Sequence, residues 1–145
     1  MQKRYIILLV TLLLTSCTTK INQYVRNENN VNKRHGKWEE EYSSDKGKLM
    51  ASGKYKMGRK IKIWKIYLDD KLYEKSRFRK NMTKTKRYYA DGKLMEKGQS
   101  KMDVSANEQH WYYFGDWKYY DEEGKLRYIK KYVNGEKTDS ISFKK

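Results

Sequence analysis

The chain contains no proline and a single cysteine. Without proline there is no rigid polyproline linker and no proline-rich recognition segment; one thiol cannot close an internal disulfide. Histidine is equally scarce, with two residues, His35 and His110, far apart. A metal centre wants clustered His, Cys or carboxylates, so no metal site is expected. No serine or cysteine sits in a nucleophile motif and no glycine-rich loop opens a helix, which leaves no catalytic residue and no cofactor to assign. Long apolar runs are missing too. The best of them, Tyr5 to Leu14, would span about 15 Å as a helix, half of a roughly 30 Å hydrocarbon core. Acidic residues are few, 18 against 34 Lys and Arg in 145 residues, for a net charge of +16. Such a balance favours anionic partners.

What the chain does have is aromatic residues, 14% of the total and chiefly 14 Tyr and 4 Trp, while only 37% of residues are hydrophobic. Disordered chains are poor in aromatics, and a thick two-layer core could not be filled from this composition. The expectation is one ordered domain with a thin, Tyr-rich core.

The first residues read as an export signal. Lys3 and Arg4 precede the short apolar run, the order of a secretory signal segment. The run ends in Leu14-Thr15-Ser16-Cys17, which resembles the lipobox of bacterial lipoproteins. The resemblance implies removal of residues 1–16, diacylglycerol on the Cys17 thiol, and acylation of the new amine, with palmitate among the acyl groups. Two or more acyl chains hold a protein stably at a membrane where one does not, since each buried methylene contributes about 0.8 kcal/mol. Thr18 after the cysteine implies, by the sorting pattern of Gram-negative lipoproteins, the outer membrane facing the periplasm. Residues 17–34 are polar and Asn-rich and read as the lipidated residue followed by a flexible tether.

From His35 to Ser140 the sequence repeats itself. Gly-Lys-Leu occurs at 47–49, 92–94 and 124–126, with Lys71-Leu72 in a fourth copy. Each follows an aromatic residue and a polar turn, and Trp38, Trp64 and Trp117 lie upstream in three copies. Asp91-Gly92 and Asn134-Gly135 supply the positive φ of short hairpin turns, and Asn81 is expected to do the same, because Asn tolerates that region. Each unit therefore reads as strand, turn, strand, turn: an all-β fold, a single antiparallel sheet of consecutive hairpins over residues 35–140, behind an N-terminal signal helix and ahead of a polar tail at 141–145. The cycle resembles the MORN-repeat variant of bacterial proteins described as YwqK-type antitoxins. That resemblance implies a hairpin-built scaffold and, as one functional reading, an antitoxin. Lys71 stands where the second unit would carry its turn glycine, and residues 98–110 look like a polar insertion that breaks the period.

Two acidic clusters, Glu39-Glu40-Glu41 and Asp121-Glu122-Glu123, fit a strand and a hairpin turn better than acid–base chemistry. The densest aromatic segment, Trp111 through Tyr120, interleaves rings with lysine and suits stacking or a protein contact. Trp64, Trp117, Lys118, Tyr128, Lys130 and Tyr132 form the candidate binding face. Because a strand alternates its faces, Lys118 and Lys130 need not share a side with Lys125 and Lys131. The functional expectation is a non-enzymatic binding or scaffold module, lipid-anchored in the cell envelope. Its partners are the membrane through Cys17 and a protein or anionic surface; nucleic acid is not expected, since an exported lipoprotein does not meet it. The alternative is an antitoxin or immunity-type protein that occludes a partner toxin.

Overall fold

The computed structural model describes residues 20–104 and 109–143. The expected signal helix and Cys17 lie outside the described residues. Ten strands follow in sequence: β1 (Gln23–Arg26), β2 (Asn32–Ser44), β3 (Gly47–Lys56), β4 (Arg59–Leu68), β5 (Lys71–Arg79), β6 (Met82–Tyr88), β7 (Leu94–Val104), β8 (Gln109–Tyr120), β9 (Leu126–Val133) and β10 (Glu136–Ser142). They form one ten-stranded sheet in which each strand pairs antiparallel with its successor. The expected all-β sheet of successive hairpins is what this chain forms.

The turns explain the connectivity. Met57-Gly58, Asp69-Asp70 and Asn134-Gly135 each place both central residues at positive φ, the geometry whose twist matches that of paired strands. Asp69 and Asp70 thus supply in the second unit what glycine supplies elsewhere, and the Asp69 side chain also accepts from the Lys48 amide at 3.0 Å. Between β5 and β6 it is Lys80, at φ 42°, and not Asn81, that takes the left-handed conformation.

The boundaries differ from expectation in three places. The stretch expected to be a tether carries β1, so ordered structure begins well before residue 35. Asn22 explains the docking: its side-chain amide donates to the Glu39 carbonyl at 2.9 Å and accepts from the Glu39 amide at 2.8 Å, imitating one rung of a sheet. Residues 98–110 are no insertion. Residues 98–104 extend β7 and residues 109–110 open β8, and the polar side chains of 99, 101 and 103 stand on one face of β7 in strand alternation, which hides the period from composition alone. Ile141 and Ser142, expected in the tail, belong to β10.

Among the described residues, the ten buried side chains lie on one face: Trp38, Ala51, Tyr55, Trp64, Ser76, Thr83, Thr85, Glu96, Met102 and Trp117. The core is one side chain thick. Its densest part is an edge-to-face run Tyr24–Trp38–Tyr55–Trp64 with centroids 5.1, 5.5 and 4.9 Å apart, a spacing at which aromatic pairs contribute about 0.5–1.5 kcal/mol beyond area burial.

Each tryptophan of the repeat sits in the same local frame. The residue two positions before it has positive φ: Gly36 at 77°, Lys62 at 59° and Gly115 at 67°. Register shifts flank Gly53 and Gly98 in the pairings β3–β4 and β7–β8. There the rings of Trp64 and Trp117 lie flat on these glycines, so close that a Cβ would stand 2.3 and 2.2 Å from ring carbons. Each indole N–H then donates to the carbonyl of the residue after that glycine, Lys54 at 3.1 Å and Gln99 at 3.0 Å.

Candidate functional site

The sheet has two unlike faces, and the residues expected to form one binding face are divided between them. Trp64 and Trp117 are core, the latter 1% exposed. Tyr128, Lys130 and Tyr132 share the Trp117 face, since Lys130 is the cross-strand partner of Trp117. Lys130 lies over the rings of Tyr119 and Tyr128, 5.1 and 5.4 Å from their centroids, and these two rings stack at 4.5 Å. Lys118 points to the opposite side, opposite Ile129. A single patch of those six residues does not exist.

On the packed face the middle strands carry small polar residues where their neighbours carry rings. Ser76 donates to Glu74 at 2.8 Å and shares a hydrogen bond with Thr85 at 3.0 Å. Arg87 pairs with Glu74 at 2.9 Å and with Glu96. Loss of solvation acts to lower its guanidinium pKa, but hydrogen bonds and charge from Glu74 and Glu96 together outweigh that and hold it above the ordinary Arg value. A half-buried cation held between two acids, each hydrogen-bonded, is an internally satisfied cluster. Burial, with Glu96 nearby, also raises the Tyr119 phenol. Beside the network runs a groove of about 480 Å³ lined by Tyr55, Ser76, Thr83, Thr85 and Ser100. Phe78 and Trp111 meet edge to face at 6.0 Å, although β6 and β7 separate their strands. The two rings therefore arch over the groove above Thr83, whose hydroxyl is buried without a hydrogen-bond partner.

Among the described residues no group of three His, Cys, Asp or Glu side chains converges. The acidic triplet Glu39–Glu41 runs along β2, and Asp121 closes the turn before β9 by accepting from the Lys125 amide at 2.8 Å.

The opposite face is basic and open. Cross-strand register places Lys65 against Lys75, Lys75 against Lys86, Lys86 against Lys97 and Lys97 against Lys118. Five lysines on five successive strands thus form one row, ended by Ser52 and Glu39 on one side and by Ile129 and Ile141 on the other. Arg77 and Lys84 form a second like-charged pair beside it. Of these lysines, only Lys118 belongs to the candidate face expected from the sequence. The five stand at irregular spacing in the chain, and only register brings them together.

The chain matches no protein-family model, no curated protein and no solved structure.

Proposed function

We propose that the protein is a non-enzymatic binding or scaffold module of the cell envelope, exported by residues 1–16 as a signal helix and held to a membrane by lipid on Cys17. Its hairpins are read as MORN-like repeats, used as a platform. The observation that carries the binding role is the division of the sheet: one face holds the whole core, and the other is left as an uncovered basic surface. Like charges directly opposite each other in a sheet are destabilising, so a row of them is a feature that stability alone does not favour. An anionic partner offsets that repulsion. The lipobox resemblance at Leu14–Cys17 supports the anchor.

The anchor is tested by metabolic labelling with a palmitate analogue and by membrane fractionation of the full chain. Wild type should label and sediment with membranes; Cys17→Ala should do neither in its processed form. Unchanged labelling in Cys17→Ala would remove the anchor from the proposal.

A further inference from the structure

We infer that the row Lys65, Lys75, Lys86, Lys97 and Lys118 is a docking track for a linear acidic polysaccharide. The inference rests on the reading of the protein as a lipid-anchored binding module, whose anchor is tested separately by the Cys17→Ala labelling above.

The geometry comes from register alone. Strands in a sheet lie about 4.8 Å apart, so five lysines on successive strands present one charge per step along a line of roughly 19 Å. Among the described residues none of the five forms an ion pair, whereas Lys48, Lys93 and Lys131 on the same molecule do. Lys65, Lys75 and Lys86 are exposed, and Lys97 and Lys118 half-buried. The Lys97 ammonium lies over the Tyr120 ring at 5.5 Å, and Lys101 over Phe114 at 3.7 Å. Aromatic faces therefore stand beside the charged line, the pairing that receives the apolar face of a sugar ring together with its acidic substituent.

Shape selects among anionic partners. Antiparallel sheets turn by about 20–25° per strand, so the row winds through roughly 80–100° from Lys65 to Lys118. A flat anionic membrane meets only part of such a line, while a flexible polymer follows all of it. An extended acidic peptide repeats on one side about every 6.8 Å, out of step with the strands. A pyranose ring spans close to the inter-strand distance, and rotation about the glycosidic bonds lets a polymer with one acidic group per sugar turn its acids toward the winding row of five lysines.

The test uses the full chain in neutral nanodiscs, with polygalacturonate as the probe. Polyglutamate of matched charge is the second probe, and nanodiscs containing phosphatidylglycerol serve as competitor. Lys75→Ala/Lys86→Ala removes two charges from the track; Lys125→Ala/Lys137→Ala removes two exposed charges elsewhere and keeps the same net charge. Wild type should bind polygalacturonate more tightly than polyglutamate and keep it in the presence of anionic nanodiscs. The track variant should bind about tenfold more weakly, with a slope of log affinity against log salt smaller by about two, as for two lost counterion-releasing contacts. The control variant should match wild type. Its thermal midpoint shows that the track variant is folded, because removing like charges should not lower it. Equal losses in both variants would reduce the effect to net charge and overturn the inference, as would a preference for polyglutamate or for anionic lipid. A wild type that ignores polygalacturonate also overturns it; the binding-module reading then stands or falls on whether the other two anionic probes are retained.

Discussion

Replacing Lys86 by Glu should make the protein more stable. Lys86 is the middle of the lysine row, with Lys75 and Lys97 directly opposite on the two neighbouring strands. The substitution removes two repulsive cross-strand pairs and creates two attractive ones, without touching the packed face. Cross-strand charge pairs contribute about 0.2–1 kcal/mol each, so the net gain is about 0.5–2 kcal/mol. Lys and Glu have similar, poor strand propensities, which leaves little intrinsic change to subtract. For an ordered chain of this length that gain corresponds to roughly 2–8 °C in thermal midpoint. The assay is thermal unfolding followed by circular dichroism, in low salt and in molar salt. The screening length shortens from about 30 Å at 0.01 M to about 3 Å at 1 M, so the advantage should shrink with added salt. A variant that melts at or below wild type in low salt, or that keeps its full gain at 1 M, would refute the reading of the row as a repelling charge line.

Four further outcomes follow from the packed face and its frame. Gly98→Ala should lower the urea midpoint by an amount equivalent to at least about 2 kcal/mol, because the new methyl meets the Trp117 ring at overpacking distance; Gly53→Ala should do the same against Trp64. Lys62→Gly should raise the midpoint by roughly 0.5–1 kcal/mol, since Lys62 holds at φ 59° the position that Gly36 and Gly115 fill elsewhere. Gly124→Val and Gly135→Val should each lower the midpoint, as a β-branched residue is strained at their φ of 85° and 88°. Tyr119 is raised from its ordinary value of 10.0, so above about pH 10 the unfolded chain releases a proton that the folded chain keeps. Stability should fall with pH there, and Tyr119→Phe should flatten the fall in alkaline melting curves.

Much of the topology was legible because it is written in turns. Asp91-Gly92 and Asn134-Gly135 signal reversals by chemistry that few other residues share, and the tryptophans mark one strand of each unit. The β7–β8 pairing was not, since residues 98–104 alternate polar side chains with Gly98, Ser100 and Met102 and no turn glycine follows them before β8. β1 was hidden for a different reason: its attachment depends on Asn22 and Tyr24 meeting Glu39 and Trp38, contacts that no local pattern reveals. The charged row was the least legible. Lys65, Lys75, Lys86, Lys97 and Lys118 fall at separations set by loop lengths and by the register shifts at Ile66/Tyr67 and Lys97/Gln99. A slip of one residue in any pairing would send part of the row to the other face. The frame around each tryptophan could have been found, because Gly36 and Gly115 both stand two residues before a Trp; Lys62 in the third copy masked it.

Because every strand pairs with the one made just before it, no strand has to wait for a partner further along the chain. A polypeptide that emerges amino end first, from a ribosome or through a secretion channel, can therefore order itself hairpin by hairpin as it appears. Loop closure in such an array stays short throughout, which keeps folding fast and limits the time any strand edge is left open. The last described strand, β10, forms one edge of the sheet as β1 forms the other, and all seven of its residues are exposed. Lys137, Thr138, Asp139 and Ser140 occupy its centre. A short, charged edge strand of this kind disfavours pairing with a strand of a second molecule.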